Sequence, residues 1–82
     1  MKKLPRDVSG VELSKRLQKL GYQITRQAGS HLRLTTMDGG QHHLTVPNHD
    51  PIKVGTFSGI LNDVARHFQT NRDDIVRRLF EN

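Results

Sequence analysis

The pattern of apolar and polar positions predicts a helix near the start of the chain. Ser9 is placed to cap it, and Glu12 three residues later completes a capping box, which satisfies otherwise unpaired backbone N–H groups. Behind this cap, apolar residues recur at helical spacing: Leu13, Leu17 and Leu20. Gly21 then supplies the left-handed conformation that ends the helix.

Alternation of apolar and polar residues next predicts three strands, at residues 22–27, 31–36 and 41–46. Glycine-containing turns at residues 28–30 and 38–40 separate them, and Pro47 ends the third strand because it has no N–H to donate. A period of two directs one set toward the helices: Tyr22, Ile24, Leu32, Leu34, Leu44 and Val46. The opposite face receives only polar residues: Gln23, Thr25, Gln27, His31, Arg33, Thr35, Gln41, His43 and Thr45.

Two further helices follow a loop at residues 48–55. Thr56 is the expected N-cap of the first, whose apolar positions keep helical spacing: Phe57, Ile60, Leu61, Val64, Ala65 and Phe68. Asn71 is expected to cap the second, which carries Ile75, Val76, Leu79 and Phe80. The order α-β-β-β-α-α predicts an α+β fold with a three-stranded antiparallel sheet, helices on one face, and a single domain over residues 1–82.

The topology of such a sheet brings one set of polar residues to one end. In an antiparallel arrangement the second strand begins where the third one ends, so His31 lies near the loop that carries His49 and Lys53. The N-termini of the first two helices are expected at the same end. Helix N-termini attract phosphate through unpaired N–H groups and the helix dipole. The sequence therefore predicts a phosphate-binding site around this end of the sheet.

Composition and charge limit the kinds of partner and site that the chain can have. The chain of 82 residues has a formal net charge of +5, which favours a polyanionic partner such as RNA or DNA, or an acidic protein surface. It contains no cysteine, so disulfides and thiolate metal sites are excluded. No stretch has the length and hydrophobicity of a signal peptide or a membrane span, and we expect a cytoplasmic protein.

Five segments, in order and at consistent spacing, resemble the HicA toxin family. They are Ser9-Gly10-Val11-Glu12-Leu13, Leu17-Gln18-Lys19-Leu20-Gly21-Tyr22, Arg26-Gln27-Ala28-Gly29-Ser30-His31, Val46-Pro47-Asn48-His49 and Lys53-Val54-Gly55-Thr56-Phe57-Ser58-Gly59-Ile60-Leu61. The similarity spans roughly residues 4 to 68. One departure is Val54, where many relatives have proline.

This resemblance implies a fold like that of a double-stranded-RNA-binding domain. It also implies an mRNA interferase, an endoribonuclease of a toxin–antitoxin pair that a HicB-type antitoxin neutralises by covering it. The catalytic histidine of the family falls on the Gly-Ser-His triplet, and hence on His31.

The residues themselves fit such chemistry without a cofactor or metal. Histidine titrates near ~6.5, so His31 can act as an acid or a base at cellular pH when the 2′-OH of RNA attacks the adjacent phosphorus. Candidate phosphate-binding groups are Gly29 and Ser30 in the turn before it, Arg33 on the same face, and Lys53, Gly55 and Thr56 beyond the third strand. A metal site is not expected, because the adjacent His42 and His43 point to opposite faces.

Two other functions are compatible with the sequence alone. A non-catalytic RNA- or DNA-binding module would use the same basic end of the sheet, and a purely protein-binding domain would dock an acidic partner there. Loss of His31 distinguishes them, since a binder tolerates it and an enzyme does not.

Overall fold

The computed structural model describes residues 4–81 and has the predicted order of elements. In chain order these are α1 (Gly10–Leu17), β1 (Gln23–Ala28), β2 (His31–Thr36), β3 (His42–Pro47), α2 (Val54–His67) and α3 (Arg72–Phe80). A short 3-10 turn at Gln18–Leu20 continues α1. The three strands form one antiparallel sheet in the order β1-β2-β3, which confirms the predicted α+β fold.

The start and end of α1 follow the predicted signals. The Ser9 hydroxyl oxygen accepts a hydrogen bond from the Glu12 N–H at 3.0 Å, while the Glu12 carboxylate pairs with Arg16. Gly21 has a φ of 85°, the left-handed conformation that stops the helix. These local bonds orient α1 before the chain enters the sheet.

One face of the sheet carries the hydrophobic core. Leucine and valine side chains of β2 and β3 are buried beneath the three helices: Leu32, Leu34, Leu44 and Val46. The predicted helix faces are buried as well, including Phe57, Ile60, Leu61, Val64, Ala65, Ile75, Val76 and Leu79. The opposite, outer face of the sheet is left open, since the alternate residues of these strands are exposed or half-buried.

The C-terminal helix α3 is an integral part of this core. Its cap is the one predicted, because the Asn71 side chain accepts from the Asp74 N–H at 2.8 Å. It is joined to α1 through Arg16, which donates to the Leu79 carbonyl at 3.0 Å and lies over the Phe80 ring. Leu79 is fully buried, so α3 closes the helix layer.

The predicted N-cap of α2, Thr56, is wrong by three residues. The helix begins at Val54 with Lys53 as its N-cap, and Thr56 lies inside the first turn. The cause is the preceding residue, Ile52, which is buried and donates its N–H to the Val8 carbonyl at 2.8 Å. The chain is anchored there and turns into the helix at once. Val54 is then the first helical residue, a position that also suits proline.

Strand β1 also departs from the predicted alternation. It is an edge strand, and all six of its residues are exposed. Ile24 was expected in the core but is 45% exposed on this edge strand. A β-bulge between Ile24 and Arg26 then shifts the register. As a result Arg26 pairs with Arg33 on the outer face, and Gln27, expected there, instead pairs with the inward-facing Leu32.

Candidate functional site

His31 lies at the end of the sheet where the predicted site residues were expected. It is the first residue of the central strand β2 and pairs with Ala28 on one side and Pro47 on the other. Since Leu32 is buried, alternation directs His31 to the outer face, and its side chain is exposed. Neither neighbour carries a polar side chain, so the imidazole stands open to a ligand.

A cleft of about 320 Å³ joins His31 to the loop after β3 and to the start of α2. Its lining residues are His31, Pro47, His49, Lys53 and Thr56. The structure therefore brings together three residues that the sequence singled out, His31, Lys53 and Thr56. It adds a second imidazole, His49, to which sequence reasoning gave no part in catalysis.

Backbone hydrogen bonds hold the loop that carries His49. The Asn48 N–H donates to the Ser30 carbonyl at 2.7 Å, which ties the loop to the turn before His31. The His49 carbonyl accepts from the Gly10 N–H at 2.9 Å, which ties it to the start of α1. Ser30 thus helps to position the loop through its backbone carbonyl. Together these two hydrogen bonds form a common framework that positions both His31 and His49.

Gly10 is a residue whose importance the sequence did not reveal. A Cβ atom at this position would lie 2.1 Å from the Pro47 carbonyl oxygen and 3.0 Å from the Asn48 Cα. Both are backbone atoms that cannot rotate away. The available signal was glycine at the first position of a well-capped helix, where it is a poor helix former and so indicates a close approach.

The two helix N-termini at this end of the sheet differ in whether their first backbone N–H groups are available to a ligand. At α1, the N–H groups of Gly10 and Glu12 already donate to the His49 carbonyl and the Ser9 hydroxyl. The α1 N-terminus therefore lies at the predicted end of the sheet, but two of its first three N–H groups already have acceptors within the protein. At α2, the N-cap Lys53 makes no side-chain capping bond, and the first N–H groups of a helix have no intrahelical acceptor. Gly55 and Thr56 lie in this exposed first turn.

The remaining predicted residues lie next to the cleft. Gly29, with a φ of 57°, and Ser30 form the turn that leads into β2. Arg33 is two residues beyond His31 on the outer face, and it is exposed. Gly29, Ser30 and Arg33 do not line the cleft but flank it.

The other histidines occupy the opposite end of the sheet. His42 is half-buried, with its Nδ1 2.7 Å from the Tyr22 hydroxyl and its Nε2 3.3 Å from the Asp63 carboxylate. Burial, and then the charge of Asp63, raise the pKa of Tyr22. The His67 ring stacks on His42 at 4.5 Å. His43 points to the outer face and contacts Thr35, so the adjacent histidines do face opposite sides.

Residues 4–81 contain neither a metal-binding cluster nor a membrane-spanning helix. No set of three or more His, Cys, Asp or Glu side chains there is arranged to hold a metal ion. No helix in the same range is long and apolar enough to cross a membrane.

Comparison with known protein families gives a match over most of the fold. A family model described as the HicA toxin of bacterial toxin-antitoxin matches residues 10–65, about two thirds of the chain. The matched range begins with α1 and contains the whole sheet, the cleft and most of α2. No match was found among curated proteins or among solved structures.

Proposed function

The chain belongs to the HicA toxin family of bacterial toxin–antitoxin systems. From this premise we propose that it is an endoribonuclease that cleaves mRNA with His31 as its catalytic residue. The cleft that joins His31, His49 and Lys53 carries the proposal. It combines two imidazoles, a cation and an exposed helix N-terminus in one place. These groups together can cleave a phosphodiester bond, and the proposed substrate is cytoplasmic mRNA.

The proposed reaction uses the RNA itself as nucleophile. A histidine removes the proton from a 2′-OH, and the oxygen attacks the adjacent phosphorus. The bond to the 5′ oxygen breaks, and that oxygen takes a proton from an acid. The products are a 2′,3′-cyclic phosphate and a free 5′-OH. We assign His31 as the catalytic residue, and His49, on the same cleft, supplies the second proton transfer.

Lys53 and the start of α2 bind the phosphate group in this proposal. The Lys53 ammonium and the N–H groups near Gly55 and Thr56 neutralise the charge that develops on the oxygens of the pentacovalent phosphorus. Gly29 and Ser30 position His31 through the turn. Arg33 holds a flanking phosphate from the outer face.

The proposed partner is a HicB-type antitoxin that covers the cleft. The chain has a net charge of +5, and an acidic surface on the antitoxin would complement the open outer face of the sheet. Outer face, loop and helix end together form a continuous surface on which such a protein can dock. Covering His31 then blocks the substrate.

The reaction type is tested by the ends of the products. The purified chain should cut single-stranded RNA in excess EDTA, because the 2′-OH mechanism needs only acid–base groups, and should leave 2′,3′-cyclic phosphate ends. A matched oligonucleotide with a single 2′-deoxy sugar at the cleavage position should resist, since it lacks the nucleophile. Cleavage that stops with EDTA and returns with a divalent ion, or that cuts the 2′-deoxy substrate equally well, would contradict the proposal.

Lys53 provides a second test. Replacing it with alanine should slow single-turnover cleavage by roughly 100-fold, the usual effect of removing one stabilising donor from a developing oxyanion. Because Lys53 is exposed, the thermal midpoint should change little. Lys15→Ala, an exposed lysine on α1, is the matched control and should cleave normally. An unchanged rate in the Lys53 variant would show that its charge is merely solvated.

A further inference from the structure

The bulge in β1 creates a feature that alternation alone does not produce. By register, Arg26 lies directly opposite Arg33 on the outer face of the sheet. Without the bulge, the period of two would direct Arg26 to the helix side and Gln27 to the outer face. The shift also places the small Ala28 beside His31. It thus adds a second arginine to the outer face and keeps the space over His31 open.

Within residues 4–81, no carboxylate pairs with either member of this arginine pair. Like charges directly opposite on neighbouring strands are destabilising. Neither guanidinium forms a hydrogen bond or ion pair with any residue in the range 4–81, and both residues are exposed. The three strands contain no Asp or Glu. Elsewhere on the fold, arginines such as Arg16, Arg77 and Arg78 pair with carboxylates of their own helix. The charge of the outer-face pair is available to an external anion.

The position of the pair relative to His31 indicates the ligand. Arg33 follows His31 by two residues on the same face of β2, a Cα separation of ~6.6 Å along the strand. That distance is close to one nucleotide step of an extended RNA backbone. Because the two arginines are directly opposite in register, their guanidinium groups can converge on one phosphate and donate paired N–H groups to its oxygens.

Resting on the proposed ribonuclease function, we propose that Arg26 and Arg33 form a second phosphate subsite. It binds the backbone phosphate of single-stranded RNA next to the one cut at His31. The substrate strand then runs from the cleft onto the outer face of the sheet, along β2, rather than over the helix layer. An acidic surface of a partner protein is the competing ligand for the same charges.

RNA affinity in a non-cleaving background tests the subsite. All variants carry His31→Ala, and binding of a short fluorescein-labelled single-stranded RNA is followed by anisotropy. Arg26→Gln and Arg33→Gln should each weaken binding about tenfold, as expected for loss of a charge-assisted contact. In the double variant, the slope of log affinity against log salt should fall by about 0.7, which corresponds to one lost phosphate contact on a single strand.

The matched control removes two charges from the helix layer instead. Lys15→Gln with Arg66→Gln has the same net charge as the double arginine variant, and both control residues are exposed. It should keep its affinity within about threefold and its salt slope close to that of the His31→Ala parent. Equal losses in the two double variants would overturn the proposal, because the effect would then be one of net charge.

Two further results would also overturn it while leaving the ribonuclease function intact. One is unchanged RNA affinity in the arginine variants together with weaker binding of the cognate antitoxin, which would assign the pair to the partner protein. The other is unchanged RNA affinity together with self-association, which would show that these charges only protect the edge strand. Failure of the wild-type chain to cleave RNA, in contrast, would contradict the proposed ribonuclease function, while the binding measurement would still test the arginine subsite.

Discussion

His31→Ala should abolish RNA cleavage and growth arrest while the protein remains folded. Loss of a general acid or base lowers the rate by ~10²–10⁴-fold. The fold should persist because His31 is exposed on the outer face, away from the core beneath Leu32 and Leu34. An exposed substitution of this kind changes stability by less than ~0.5 kcal/mol. Growth on induction, single-turnover cleavage of RNA, and circular dichroism of the purified protein measure the three effects.

His43→Ala is the matched control for this experiment. His43 is another exposed histidine of the outer face, and it pairs in register with Thr35, four residues beyond His31 on β2. At ~3.3 Å per residue along β2, the two histidines are at least ~13 Å apart, too far to act on one phosphorus. The control should remain toxic. A toxic His31 variant, or one that is inert only because it unfolds, would remove His31 from the mechanism and restore the binding-module interpretation.

His49 can be examined in the same series. It lines the cleft with His31, and the proposed mechanism gives the pair two proton transfers in one reaction. Residues that act as a unit show strongly non-additive effects on rate. The His31→Ala/His49→Ala double variant should therefore cleave no more slowly than His31→Ala alone. Additive losses would show that His49 acts in a separate step, such as substrate binding.

The parts of the structure that local patterns determine were predictable. The cap at Ser9, the stop at Gly21 and the apolar face of α2 depend on residues within a few positions of one another, and all three are present. Antiparallel topology then placed His31 near Lys53 without any knowledge of distances. Order and periodicity therefore determined the fold class and the location of the cleft.

The parts that the sequence did not predict depend on contacts between distant segments. The bulge in β1 is a property of its pairing with β2, and it moved Arg26 to the outer face against the local alternation. The start of α2 is set by the hydrogen bond from Ile52 to Val8, since Lys53 has no capping side chain of the usual type. Ile24 is exposed although it alternates correctly, since burial on the edge strand β1 depends on how distant segments pack and not on local periodicity.

The close approach at Gly10 leads to the second large expected effect. Gly10→Ala should destabilise the protein by about 3 kcal/mol, since an added methyl group meets the Pro47 carbonyl oxygen and the shift it forces disturbs the hydrogen bond from Gly10 to His49. For a domain of this size, that corresponds to a thermal midpoint lower by roughly 10–20 °C. Cleavage should fall as well, even at temperatures where the variant is folded, because the loop carrying His49 loses its tie to α1.

Gly59→Ala separates this effect from the general response to alanine in a helix. Gly59 lies within α2, and a Cβ atom there would have no atom within 4 Å. Alanine is the better helix former, so this variant should be more stable by up to ~1 kcal/mol and cleave normally. Thermal unfolding and single-turnover cleavage of both variants are measured side by side. If the contact with Pro47 determines the effect, the thermal midpoint falls in Gly10→Ala and rises in Gly59→Ala. A Gly10→Ala protein that gains stability as Gly59→Ala does would show that α1 is not closely packed against the loop. That result would contradict the proposal that one backbone framework positions both His31 and His49.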